Sequence, residues 1–416
     1  MENESLKQRE GAVYGIDISD ERALISYINP KDRRPVTVSK IFGEENYVFP
    51  MAIAKKSGIG QWFIGDEAIE RKNDSDVTLV PDFYQKALKN ENIIIDAQLF
   101  SGEEVLGIYL KRLFAMAQNL SGVRATDFVC FSVSEVNKDL VDMIDRCAAG
   151  LGIPVSKVGV ISKKEAFYYY CLSQPEEIRK HDVIAFENNG PVVYAIRLNV
   201  NYTLTPRVVS LDEKYFTLDE KNKDSSFDDI LQEMLKGSLV STIYLTGPGF
   251  SRDWMNESLQ RAMMGHKVFA GQNLYTNGAC YAALVRMEAV EWPFLYIGDN
   301  ELKLNVSLMV SDLNQMKFYT LINAGKSWYE ERGECEVILD GDPSMSLYIQ
   351  KPDSRKAVEN VLNLSDLPER ESRLTRLRIT AVPLSDRQVS VRIFDLGFGE
   401  IEKGSGKTFT TTIGID

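Results

Sequence analysis

The chain has 416 residues, 44% of them apolar and 26% charged, with a net charge of −12 and a pI near 5.0. These proportions are those of a globular protein with material for two or three cores, and the acidic balance works against phosphate backbones and general nucleic-acid binding. No run approaches the roughly 18 apolar residues of a membrane helix, so no membrane role is expected.

In chain order, residues 1–10 (MENESLKQRE) read as a frayed tail without a signal-peptide pattern. Residues 12–18 (AVYGIDI) predict a strand, turned by Ser19-Asp20-Glu21 into a returning strand over 23–28. Further strands are expected at 36–42, 48–51 and 61–64, with a helix over 67–72. Residues 103–119 predict a helix whose face carries Val105, Ile108, Tyr109, Leu113 and Met116. A strand (127–133), a helix (138–151), a strand (158–161) and a helix (164–172) follow. Strand 182–186 then leads through Asn188-Asn189-Gly190 to strand 192–198, a hairpin signal. The charge cluster KNKDSSFDD reads as a solvated loop before a helix over 227–235. Beyond Trp292-Pro293 the period becomes that of strands, with examples at 302–310, 336–339, 346–349, 377–380 and 389–394. A β-sandwich is expected there, with a boundary near 298–311.

The most informative stretch is 243–284. A strand (Ile243, Tyr244, Leu245) ends in Gly247-Pro248-Gly249, an amphipathic helix follows, and Asn277-Gly278 opens a helix over 279–287. Strand, glycine turn and helix together bring backbone amides to a nucleotide in many α/β proteins, although a bare G-x-G is more often only a turn. Five scattered cysteines without a C-x-x-C pair, and only two histidines, oppose a disulfide framework or a histidine-rich zinc site. They predict buried thiols and a cytoplasmic location.

The order of these pieces resembles the actin/sugar-kinase/heat-shock ATPase superfamily, most nearly the DnaK-type chaperones. YGIDISDERALISY (14–27) resembles the first phosphate hairpin, 131–172 the first connecting segment, and VIAFENNGPVVYAI (183–196) the second phosphate hairpin. LTGPGF with NGACYAAL resembles the adenosine motif and second connecting helix. NELKLNVSLMV, LINAGKSW and the β-rich remainder resemble the chaperones' linker and peptide-binding β-sandwich. The helical lid of that family is not expected, because the sequence stops at Asp416.

The resemblance implies a two-lobed actin-like α/β ATPase fold of two ribonuclease-H-like subdomains over 11–297, with lobe I about 11–180 and lobe II about 181–297. The upper subdomain of lobe II would be trimmed, a linker would occupy 298–310, and the β-sandwich 311–416. It also implies ATP or ADP with Mg²⁺ held by Gly15, Ser19, Asn188, Asn189, Gly190, Gly247, Pro248, Gly249 and Phe250. Asp17, Glu165 and Lys86 (or Lys89) would be the catalytic candidates, with Asp17 also on the metal side, and the sandwich would take a polypeptide partner. Each has a plainer reading: Asp17 as a strand-end turn, Glu165 as a helix-start carboxylate, 188–190 as a tight hairpin, and Tyr168-Tyr169-Tyr170 as core and interface.

The departures decide between functions. Asp20 and Glu21 follow Asp17, and two carboxylates near a triphosphate are costly without a cation between them. Phe186 falls where the family places its second aspartate, and Pro248 offers no N–H. A pseudo-ATPase scaffold is therefore favoured over an active Mg-ATP-dependent chaperone-like ATPase. A small-molecule kinase is the third reading, for which neither a catalytic aspartate nor a sugar-binding insertion is found.

Overall fold

The structure, a computed structural model, describes residues 11–415 apart from 42, 204–205, 251–252, 314, 353 and 355. The expected tail, 1–10, lies outside the described residues, as does Phe42 at the end of an expected strand. The chain divides into two compact units, 1–294 and 295–416.

The first unit contains one motif built twice. In its first half, β1 (Ala12–Ile18) runs antiparallel to β2 (Arg22–Ile28), and β2 runs antiparallel to β3 (Pro35–Thr37). Helix α1 (Gly102–Ser121) crosses to β4 (Thr126–Val133), parallel to β1, and α2 (Lys138–Gly150) crosses to β5 (Val158–Ser162), parallel to β4. Helix α3 (Lys163–Leu172) completes the set, and the sheet order is β5-β4-β1-β2-β3.

The second half repeats it. Strand β7 (Val192–Asn201) runs antiparallel to both β6 (Asp182–Asn188) and β8 (Arg207–Thr217). Helix α4 (Lys223–Leu235), strand β9 (Val240–Thr246), helix α5 (Glu257–Met263), strand β10 (Lys267–Ala270) and helix α6 (Leu274–Arg286) follow. Strands β9 and β10 are parallel additions beside β6, giving the order β10-β9-β6-β7-β8. The halves differ between their third strand and first crossover helix. The first inserts a three-stranded sheet and a hairpin (Asn92–Ile95, Gln98–Ser101) there, whereas the second has only residues 218–222.

Strand β1 is buried along its whole length because both faces are covered. Its even-numbered residues join the core beneath α1, and Gly15 faces α6. A Cβ on Gly15 would lie 2.2 Å from the Thr276 carbonyl oxygen, and one on Gly278 would lie 2.0 Å from that of Ala166. These two contacts let α6, which follows the second sheet, lie against β1 of the first and cross α3. Thr276 Oγ1 donates to the Gly15 carbonyl (2.9 Å), and Ser26 Oγ donates to Asn277 Oδ1 (2.8 Å). Helix α6 starts at Leu274, so Asn277-Gly278 lies inside it, and the glycine serves packing rather than initiation.

Two other expected boundaries move for physical reasons. The charge cluster is largely helical, because α4 begins at Lys223 and its Asp224 accepts the backbone N–H groups of Asn256, Glu257 and Ser258 at the start of α5. Helix α1 starts in a Ser101/Glu104 capping box and stops at Gly122, where φ is 71°. Its buried face carries Leu106, Leu110 and Phe114 besides Val105, Tyr109 and Leu113, while Met116 is exposed.

In the second unit, β11 (Asn305–Asp312), β12 (Gln315–Ile322), β14 (Ser344–Gln350) and β15 (Ala357–Asn363) form one antiparallel sheet in the order β12-β11-β14-β15. A second sheet is built on β13 (Gly333–Leu339), β16 (Thr375–Pro383), β17 (Gln388–Phe398) and β18 (Thr408–Gly414). Strand β16 alternates buried and outward residues, as one wall of a shared core requires. The residues expected as a linker belong largely to this unit: Leu302, Leu304, Val306 and Leu308 lie in its core. Arg370 and Asp395, both almost fully buried, pair through two bonds of 2.8 and 2.9 Å, and Gly397 and Ser405 satisfy the remaining carboxylate positions. Among the described residues no helix is long and apolar enough to cross a membrane.

Candidate functional site

The duplicated register identifies the equivalent residues of the two hairpins. Gly15 pairs with Ser26 and Cys130, and Asp17 with Leu24 and Ser132. In the second half Ala185 pairs with Ile196 and Tyr244, and Glu187 with Tyr194 and Thr246. Both first strands carry an irregularity after their first residue, Ala12 and Asp182. Asp17 and Glu187 therefore hold the same position. Phe186, expected in the aspartate position, is the counterpart of Ile16. It points into the second core, its ring 5.3 Å from that of Phe227.

The structure brings these two carboxylates to one buried cluster with two cations. Glu187 accepts from Lys163 Nζ (3.1 Å), Arg22 Nη2 (3.4 Å), Asn189 Nδ2 (2.9 Å) and Tyr275 Oη (2.8 Å). Lys163 also stands 5.0 Å above the Tyr275 ring. Burial alone would raise the Glu187 carboxyl, but the Lys163 charge and these hydrogen bonds outweigh it and hold the group below its ordinary value. Asp17 moves the other way. Burial raises it, Lys163 and Arg22 offset only part of that, and the Glu187 charge adds to the rise. Asp17 Oδ1 and the Thr246 hydroxyl are buried without a close hydrogen-bond partner, and the hydroxyl of the sheet neighbour Ser132 acts on the Asp17 carboxyl and offsets a little of its rise. Two equivalent carboxylates are thus shifted in opposite directions by their surroundings.

The glycine loops close on each other. Gly249 N–H donates to the Asn188 carbonyl (2.9 Å), and Gly190 N–H donates to Asn188 Oδ1 (3.1 Å). Asn188 is 1% exposed, and its Oδ1 lies 2.3 Å from where a Cβ on Gly249 would be. Gly247 has φ 94°, and its own Cβ would meet the same Asn188 carbonyl at 2.4 Å. The glycines of this loop are needed so that Asn188 fits beside them. Pro248 faces outward; Phe250 stacks on Trp254, whose indole N–H donates to the Gly249 carbonyl (3.1 Å).

The remaining expected residues are occupied or elsewhere. Gly15 lies under α6. Ser19 closes the β1–β2 turn, its N–H donating to the Arg22 carbonyl (2.9 Å). Glu165 completes a capping box with Ser162 at the start of α3. Lys86 lies on the short helix Phe83–Leu88, but the cations acting on Asp17 are Lys163 and Arg22. That helix reaches the first hairpin through Gln85, which donates to Asp20 (2.7 Å). Sequence reasoning missed Glu187, Lys163, Arg22 and Tyr275. The available signal was the alignment of 12–18 with 182–188 by buried alternation, one residue from the frame that selects Phe186.

A magnesium nucleotide fits these residues poorly. Two side-chain cations already act on both carboxylates, and the amides of Gly190 and Gly249 are spent on Asn188. Among the described residues no group of three or more His, Cys, Asp or Glu is placed to hold a metal ion.

Residues 34–299 match the C-terminal part of a family of unknown function, DUF5716. The chain belongs to the DUF5716 family. The DUF5716 match contains Lys163, Glu187, Asn188, Gly249 and Tyr275, and begins after Asp17 and Arg22. Residues 301–415 match a domain of unknown function, DUF8552, so the family limits fall close to the division between the compact units. No curated protein matches the chain.

Proposed function

We propose that the first unit is an actin-like fold kept as a scaffold, with weak or no ATP hydrolysis, and that the β-domain binds a polypeptide partner. The duplicated order of three antiparallel strands and two parallel ones, with α3 and α6 crossing between the halves, supports the actin-like reading. The observation that carries the scaffold reading is the consumption of Glu187 by Arg22, Lys163 and Tyr275, which occupies the carboxylate with the protein's own donors. Outward-facing Met309, Met316 and Phe318 on β11 and β12 support a protein-binding role for the β-domain. Four buried free thiols support a reducing, cytoplasmic setting.

The competing reading, an active Mg-ATP-dependent chaperone-like ATPase, draws on the unpartnered Asp17 Oδ1. Thermal unfolding of the full chain with millimolar Mg-ATP, Mg-ADP and Mg-GTP separates the two. A ligand at about 100 times its dissociation constant stabilises a fold by roughly 2.7 kcal/mol, a rise of a few degrees. The scaffold reading expects no shift with any nucleotide, and an adenine-specific rise replaces it with the ATPase reading. For the β-domain, fluorescence anisotropy with labelled, reduced and carboxymethylated α-lactalbumin is the check. Saturable binding that Phe318→Asp weakens is expected, and no binding removes that half of the proposal.

A further inference from the structure

A cavity of about 640 Å³ opens at the end of the first sheet remote from Asp17. Its lining includes Gly11 before β1, Asp127 in β4, Tyr281 and Leu284 of α6, and Glu291 and Trp292 beyond it. Asp17 lies five residues along β1 from Ala12, about 16 Å at the usual rise per strand residue. The two sites are therefore separate, and this one owes nothing to the scaffold reading.

The aromatic wall is fixed in advance. The Trp292 indole N–H donates to Tyr168 Oη (2.6 Å), Tyr168 Oη–H donates to the Phe294 carbonyl (3.1 Å), and the Trp292 ring lies 5.5 Å from that of Tyr169. The lining also holds an acid with an unmet need. Asp127 Oδ2 is buried and has no hydrogen-bond partner. Its Oδ1 lies 2.4 Å from where a Cβ on Gly11 would be, so the glycine is what leaves room for the carboxylate. A buried carboxylate oxygen without a donor is costly, and a cationic N–H is the strongest relief for it. Glu291 adds a second acid to the lining. Arg33, also in the lining, is exposed and makes no ion pair among the described residues.

We propose that this cavity binds a small organic cation. An aromatic or alkyl body packs against Tyr281, Leu284 and Trp292, and a protonated nitrogen donates to Asp127. The volume suits such a ligand, and a lining that combines aromatic faces with two acids favours a cationic nitrogen over a neutral or anionic group.

Isothermal titration of the full chain with phenethylamine, 2-phenylethanol and 3-phenylpropionate at pH 7 tests this. Phenethylamine is expected to bind at least tenfold more tightly than the alcohol, and the acid more weakly than either. Asp127→Asn should abolish the tenfold preference. Gly11→Ala, which displaces the carboxylate without removing it, should do the same if the Asn variant does not fold. Equal affinities, no binding by any probe, or a preference that survives both substitutions overturns the proposal. N-acetyl-arginine amide presents the same chemistry as a polypeptide side chain, and tighter binding of that probe than of phenethylamine overturns the small-molecule assignment.

Discussion

Asp17 and Glu187 share a position, yet their environments oppose each other, and titration follows from that. The Glu187 carboxyl lies below its ordinary value near 4.5, so it contributes stability that is present above that pH and lost as pH falls through the folded value. Glu187→Gln leaves Lys163 and Arg22 without their partner and is expected to cost about 3 kcal/mol at pH 7, the scale for breaking a buried pair. The deficit should shrink when melting is followed down to pH 3; a constant deficit would assign the loss to packing. Asp17 runs the opposite way. Its folded value lies above 3.8, so the native protein loses stability as pH rises from there through the folded value. Asp17→Asn removes that loss, so the variant should melt higher than the parent at pH 7 and level with it near pH 3. A lower melting point at pH 7 would show the charge to be stabilising.

At the scale of elements, two helix glycines have opposite expectations. Gly278 lies at the α3–α6 crossing, where an added Cβ meets the Ala166 backbone at 2.0 Å, and no rotamer can relieve a clash with backbone. Gly278→Ala should cost about 3 kcal/mol, the upper range for overpacking. Gly107 lies inside α1 with open space around its Cβ position, so Gly107→Ala should gain about 1 kcal/mol from helix propensity. Chemical denaturation of both variants reads the two signs directly. The α3–α6 crossing then explains why α6, which follows the second sheet in sequence, is bound mainly to the first.

For the whole molecule, the division at 294/295 and the separate core of the second unit predict that residues 295–416 fold alone. The fragment should unfold in one cooperative transition. Arg370→Ala, which strands Asp395 in the interior, should cost about 3–5 kcal/mol in that fragment. A fragment that shows no cooperative transition would make the second unit dependent on the first. The break between the two family matches, 299/301, lies inside the boundary range expected from sequence, 298–311, and the compact units divide a few residues earlier, at 294/295. The change in period is gradual, and Leu302, Leu304 and Val306 alternate equally well as an extended linker or as a first strand until a core is seen around them.

What the sequence determined by itself was the kind and order of the elements: continuous apolar runs marked β1, β4, β6 and β9, apolar period marked α1, α2 and α3, and short alternating runs marked the β-domain. These signals are local, carried by neighbours a few residues apart. The site was a different matter. Asp17 could be named because it ends a conspicuous apolar strand. Glu187 could not, because choosing between it and Phe186 needs the pairing with Tyr194 and Thr246. Arg22, Lys163 and Tyr275 reach Glu187 from other elements, and the distance from Arg22 to Glu187 is 165 residues along the chain. The glycines of 247–249 looked the same in sequence whether they cradled a phosphate or Asn188. Only the tertiary structure decided, because what occupies the space beside a glycine is set by the chain that packs there, not by the glycine.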